Sequence, residues 1–214
     1  MAASDSRLHL GETFLNGAQH ICAFFHDKDE EFRRLRPFIL EGLERGEKAL
    51  HVVNGNNRTA HLSRLREAGI DVEAAEERGQ LQVLSWPDSY LRGGRFDHDD
   101  AIEQLDGLFA GARAEGFPRT RMIGDMDWAL ENRLGVADLM VYEARLNTLL
   151  SKNDDVIICV YDLSRFSGAT VLDALRTHPV VIVEGITQQN PFFVSPETFI
   201  AEVREKRRLG SGTA

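Results

Sequence analysis

The stretch His20–Phe32 reads HICAFFHDKDEEF, and it decides the fold class. His20–Phe25 is a strand-length run, apolar after its first residue and without strict alternation. That pattern suits a strand buried on both faces of a parallel sheet. A polar turn follows, and then Phe32, Leu35, Ile39 and Leu43 fall on one helical stripe. The same unit recurs along the chain. Strand-like runs stand at Ala49–Val53, Leu81–Ser85, Arg121–Asp125, Val156–Tyr161 and Val180–Val183. Further helical stripes run through Ile102, Leu105, Phe109 and Ala112, and through Leu139, Tyr142, Leu146 and Leu149. Gly46, Gly69 and Gly116 stand just past helical segments, where helix C-terminal glycines belong. Pro37 lies inside the first stripe and removes a backbone hydrogen bond at about 3 kcal/mol, so a kink or break is expected there.

This alternation predicts an α/β fold in three layers, a mostly parallel open sheet with helices on both faces. After Gly185 the pattern fades, until Ser195 and Pro196 offer an N-cap and first residue for a last, charged helix. No linker, repeat or low-complexity segment interrupts the chain. A single domain over residues 12–200 is expected, with residues 1–11 and 201–214 as partly frayed flanks.

The chain has 214 residues, with 25 Lys and Arg against 34 Asp and Glu, a net charge of −9. An acidic protein lacks the broad basic surface that releases counterions from a phosphate backbone, so direct nucleic-acid binding is not expected. No secretory leader and no apolar run near the roughly 20 residues of a membrane span are visible, which predicts a soluble, cytoplasmic protein. Cys22 and Cys159 are the only cysteines, too few for a disulfide framework, and both sit in apolar runs as inert thiols would.

In an open α/β sheet, ligands bind beyond the carboxyl ends of the strands. Those ends carry His26 and Asp27, Asn54 to Asn57, Trp86 to Asp88, Asp125 to Trp128, and Asp162. The turn after the first strand has four acids and no glycine, so it cannot cradle phosphates as a Walker A loop does. Trp128, a large apolar side chain in a polar turn, argues for something to pack against. The seven histidines form neither HExxH nor a Cys/His pair at zinc-ligand spacing. His26, Asp27, His98 and Asp99 could meet Asp125 around an ion, but no spacing demands it, and no metal site is assigned. His20 and His178 should lie at the amino edge, and their simplest role is a buried imidazole bonded to backbone. Glu143 shares the apolar side of its helical stripe, so it either pairs with Arg145 or Arg133 or is held there for a purpose. A nucleophile elbow is absent, and no constellation supports catalysis.

Seven strings occur in a characteristic order: HICAFFHDKDE, PFILEGLERGEKAL, GQLQVLSWPDSYLRGGRFD, GDMDW, YEARLNTLL, VYDLSRF and ALRTHPVVIV. From about Glu12 to Phe199 the chain resembles the MEDS domain, the methanogen/methylotroph sensory domain of dichloromethane-regulator type. The resemblance implies a degenerate RecA/KaiC-like fold without its phosphate loop, and a cytoplasmic module that senses hydrocarbon derivatives or other small molecules. It draws attention to His20, Cys22 and Phe25, the last standing where the family often has tyrosine. It also marks Gly124 to Trp128, the helix with Tyr142, Glu143, Arg145 and Asn147, the strand end Tyr161 and Asp162, and Thr177 to Pro179.

The reading that follows is a non-catalytic sensor whose candidate ligand-binding residues are Asn54, Asp125, Trp128, Glu143, Tyr161, Asp162, His20 and Phe25. Its cofactor is unknown, and no P-loop nucleotide site is expected. Such a module would signal through a histidine kinase, an anti-sigma factor, a transcription-regulator partner or a homodimer. One alternative is a protein-interaction module of a kinase or anti-sigma pathway, marked by an exposed patch at Phe192, Phe193 and Phe199. The other is a degenerate RecA-like nucleotide-binding protein.

Overall fold

A computed structural model describes residues 8–10, 13–15, 17, 19–131 and 134–210. A short antiparallel hairpin of β1 (Leu8–Leu10) and β2 (Thr13–Leu15) comes first. The main sheet begins with β3 (Gln19–Phe25), followed by α1 (Lys28–Glu44) and β4 (Lys48–Val53). Then come α2 (Arg58–Glu67), α3 (Val72–Glu77), β5 (Leu81–Ser85), α4 (His98–Ala114) and β6 (Thr120–Asp125). The second half holds α5 (Leu139–Leu150), β7 (Val156–Asp162), α6 (Gly168–Thr177), β8 (Val180–Val183), β9 (Ile186–Gln189) and α7 (Pro196–Gly210).

The seven strands lie in the order β5-β4-β6-β7-β3-β8-β9, and every neighbouring pair is parallel except β8 with β9. Strands β3, β4 and β6 are buried along almost their whole length, as their unbroken apolar runs require. Two cores result. On one face Leu35, Phe38 and Ile39 of α1, Leu65 of α2 and Val72 of α3 pack on Ile21, Ala23, Ile123 and Ile158. On the other face Phe109 of α4, Leu146 of α5 and Ala174 of α6 pack on Cys22, Phe24, Cys159 and Tyr161. Three layers with helices on both faces are therefore present, as the strand–helix alternation predicts.

Helix α1 departs from expectation by running through Pro37 as one element. Pro37 and Arg33 are both exposed, so the carbonyl that loses its partner meets water rather than the core. Ser195 caps α7 as expected, its Oγ accepting from the Thr198 amide at 3.3 Å. The helix then continues to Gly210 through most of the segment expected to fray. The frayed ends expected before Leu8 and after Gly210 lie outside the described residues. Among the described residues, no helix is long and apolar enough to cross a membrane.

Candidate functional site

Two places gather chemistry, and they lie on opposite faces of the sheet. The first is a cavity of about 180 Å³ at the carboxyl ends of β4 and β6, roofed by α1 and α2. The chain leaves β4 for α2 on one face and β6 for α5 on the other, so the cavity sits where the sheet winding reverses. Its walls are Phe32, Leu35, Ile39, Val52, Val53 and Ile123, and its polar groups are Lys28, Glu31, Asn57, His61, Arg64 and Asp125.

Lys28 bridges the acids there, its Nζ 2.8 Å from Glu31 Oε2 and 3.0 Å from Asp125 Oδ2. Burial opposes its charge, but Glu31 and Asp125 outweigh that and hold the ammonium above the ordinary lysine range. Burial pushes the Glu31 carboxyl up, against the pull of Lys28. Arg64 of α2 ties the two helices together, donating to the Lys28 carbonyl at 2.9 Å and to Asp29 Oδ1 at 2.6 Å. Beneath it, His61 Nε2 lies 2.8 Å from His51 Nδ1. Burial, reinforced by Lys28, Arg64 and Arg58, lowers His61 to about 4, and burial with His61 beside it keeps His51 well below the usual imidazole range.

The turn after β3 is closed to phosphate by its own residues. Asp27 Oδ1 accepts from the amides of Asp29 at 2.9 Å and Glu30 at 2.8 Å. A carboxylate thus occupies the N-terminal amides of α1, which in a phosphate-binding loop would face the anion.

The second place is a wholly buried cluster beneath α5. His20 is the second residue of β3, Cys159 is in the middle of β7, Glu143 is on the inner side of α5, and His178 ends α6. None of the four is more than 1% exposed. Glu143 Oε2 lies 3.1 Å from His20 Nε2, 3.3 Å from His178 Nε2 and 3.3 Å from Cys159 Sγ. The other oxygen, Oε1, accepts from the Tyr161 hydroxyl at 2.7 Å. The two imidazoles face each other with centroids 3.9 Å apart. Burial lowers His20 to about 4, helped by His178 and opposed by Glu143. Burial alone would raise Glu143, but His178 and His20 outweigh it and hold the carboxylate below its usual range. Burial and Glu143 push the Cys159 thiol well up.

The eight candidate residues do not share one site. Asp125 lines the cavity, while His20, Glu143 and Tyr161 belong to the buried cluster. Asn54 accepts from the Asn56 amide at 3.0 Å as the cap of a short 3-10 turn. Asp162 caps its own turn through the Ser164 amide at 2.8 Å, and Phe25 is core on the α1 side. Trp128 is fully buried, with Tyr90 stacked on it at 4.9 Å and Phe96 at 4.6 Å. The partner its size demands is thus the α4–α5 core. Glu143 finds its partners in His20, His178, Tyr161 and Cys159, whereas Arg145 reaches Asp99 and His98 on the surface. Arg133 lies outside the described residues. Phe192 is exposed as the interaction-module reading expects, but Phe199 is buried.

Cys159 and His178 are not among those candidates; period-two spacing was the signal available for Cys159, and the Thr177–Pro179 string for His178. His20, Cys22 and Phe24 share one strand face, as do Ile157, Cys159 and Tyr161. What the sequence withheld is that these strands are neighbours, with Cys22 opposite Cys159. His26, Asp27, His98, Asp99 and Asp125 do not converge. Among the described residues, the group whose donor atoms could hold a metal ion is the one around Glu143.

Comparison with known proteins agrees with this architecture. A solved KaiC-like protein from the hyperthermophilic archaeon Pyrococcus horikoshii OT3 superposes with a TM-score of 0.52 over 78% of this chain and 71% of that one, at 15% identity. That likeness concerns the fold. The transcriptional repressor DcmR of Methylorubrum extorquens (strain DSM 6343 / CIP 106787 / DM4) is 29% identical over 160 residues. The match covers 74% of this chain and 57% of DcmR, so the chain spans little more than half the length of that relative. The family model of the methanogen/methylotroph, DcmR sensory domain matches residues 19–179, a span that includes the β4–β6 cavity and the Glu143 cluster. The chain belongs to the MEDS family of sensory domains.

Proposed function

We propose that this chain senses a small, largely apolar molecule in the cavity between α1 and α2, and does so in the service of transcription control. The regulatory side of this reading draws on the sensory family and on the repressor relative. The observation that carries the ligand side is the cavity itself: about 180 Å³, walled by Phe32, Leu35, Ile39, Val52, Val53 and Ile123, with Lys28, Glu31, Arg64 and Asp125 also in its lining. An apolar cavity of about 150 Å³ accepts benzene, so this one takes a molecule of that size. A hydroxyl or similar polar end would meet Lys28, Glu31 and Asp125.

Ligand binding changes a signal only if two states differ in affinity. Arg64 and Lys28 offer the bonds that would distinguish such states, because they join α2, α1 and β6 beside the cavity. A molecule that inserts between the helices competes with those bonds and alters the spacing of α1 and α2. The sensed signal then leaves along these two helices.

Methyl NMR during titration with benzene and 1-hexanol tests this reading. Saturable shifts at Leu35, Ile39, Val52 and Ile123 are expected, and they should vanish in Ala60→Trp, which closes the mouth from an exposed position on α2. Shifts that are absent from the native protein, or that persist in Ala60→Trp, would remove the cavity as the sensing site.

A further inference from the structure

The cluster beneath α5 lies on the opposite face from the cavity, and its reading does not depend on the sensor proposal. It begins with the placement of His178. Its Nδ1 stands 2.7 Å from the Ala174 carbonyl, which fixes that nitrogen as the donor and turns Nε2 toward Glu143. Nε2 is then 3.3 Å from Glu143 Oε2, at ion-pair distance but outside hydrogen-bond geometry. A histidine nitrogen, a second imidazole, a thiol and a carboxylate oxygen thus converge with no access to water.

Their spacings suit a shared ion. Zinc bound at about 2.3 Å to sulfur and about 2.0–2.1 Å to nitrogen or oxygen requires tetrahedral ligand atoms about 3.3–3.6 Å apart. Here Glu143 Oε2 lies 3.1 Å from His20 Nε2, 3.3 Å from His178 Nε2 and 3.3 Å from Cys159 Sγ, and Cys159 Sγ lies 3.5 Å from His20 Nε2. All four ligand atoms fall within 4.8 Å of one another. We propose that His20, Glu143, Cys159 and His178 form a closed tetrahedral site for a divalent transition-metal ion of zinc type.

Charge and the surrounding bonds agree. One thiolate and one carboxylate neutralise a divalent ion, so the loaded site carries no net charge into the core. One sulfur and two imidazoles select zinc-like ions over calcium or magnesium. Ala174 and Thr177 orient His178 through Nδ1, and Tyr161 orients Glu143 through Oε1, as outer partners of metal ligands do. As the metal–sulfur bond forms, the Cys159 thiol gives up its proton to solvent. With four protein ligands no position stays open for substrate, so the ion is structural, fastening α5 and α6 to β3 and β7.

The site has no path from solvent, so loading accompanies folding. The full-length protein is unfolded in guanidinium chloride with chelator, freed of both, and refolded with one equivalent of Co²⁺ or Zn²⁺. The proposal expects one ion retained per chain, a raised Tm, and an intense near-ultraviolet sulfur-to-cobalt band. That band should persist in Cys22→Ser and disappear in Cys159→Ser. Chain purified without chelator should carry close to one zinc-type ion by elemental analysis. Purified chain with under a tenth of an equivalent, together with no cobalt band after refolding, overturns the proposal. So does a band unchanged in Cys159→Ser. If Cys159→Ser does not fold, the metal content and cobalt spectrum of the native sequence decide alone.

Discussion

The Tyr161 hydroxyl donates to Glu143 Oε1 at 2.7 Å, and this one bond joins the end of β7 to the buried side of α5. Tyr161 is itself fully buried, edge-on to Phe166 at 5.1 Å. In Tyr161→Phe the ring packing survives, but a carboxylate oxygen is left in the core without its donor. A loss of about 1–3 kcal/mol is expected in urea unfolding, with the m-value unchanged. A loss below about 0.5 kcal/mol would mean that Oε1 finds another donor or water.

Gly124 of β6 lies directly under the phenol of Tyr90, and a Cβ there would overlap the Tyr90 oxygen. Tyr90 is buried between Trp128 and Tyr142 and cannot swing away freely. Gly124→Ala should therefore cost about 1–3 kcal/mol as overpacking. Combined with Tyr90→Phe, which shortens the side chain by the clashing oxygen, part of that cost should return. Strict additivity of the two changes in a double-mutant cycle would refute the contact.

Acid should destabilise the fold through the His51–His61 pair. Both imidazoles are held below their ordinary value of 6.5, His61 at about 4, with burial the leading cause in each. The unfolded chain takes up protons below pH 6.5 while the folded chain refuses them, so stability is full above that pH and falls between about 6.5 and 4. Each imidazole kept neutral contributes a slope of about 1.4 kcal/mol per pH unit in that window. Urea midpoints measured from pH 7.5 to 4.5 should fall more gently in His61→Gln than in the native protein. Equal slopes would assign the acid sensitivity to other groups.

The parallel strands were legible because each is an unbroken apolar run, from HICAFF at β3 to VVIV at β8, and tertiary packing left those runs intact. Strand β9 was not, since three of the four residues of ITQQ are polar and an edge strand need bury only one side: Thr187 is buried while Ile186 is 65% exposed. Pro37 does not end α1, for a local reason: Arg33 and Pro37 both lie on the exposed side of the helix and the lost bond is not buried. The candidate residues divided along the same line. Asp125 lines the cavity from a strand end, which is a local property. Cys159 and His178 join His20 and Glu143 only through the strand order β7-β3-β8, and no local pattern carries that order. Trp128 packs into the core instead of lining the cavity, since a turn that is polar in sequence can fold back over a core.

The position of β3 also governs how the chain can fold. Its neighbours are β7 and β8, so Gln19 waits for Val156 and Ile21 waits for Val180 before either side is covered. On a ribosome the strands β4, β5 and β6 emerge before β7 and β8 and can assemble their own ladders while β3 remains without a partner. This seven-residue strand, made before the other strands of the main sheet, is thus enclosed on both sides only after β8 has been synthesised. Its sticky ICAFF run is the segment most exposed to chaperones, and to misassembly, during synthesis.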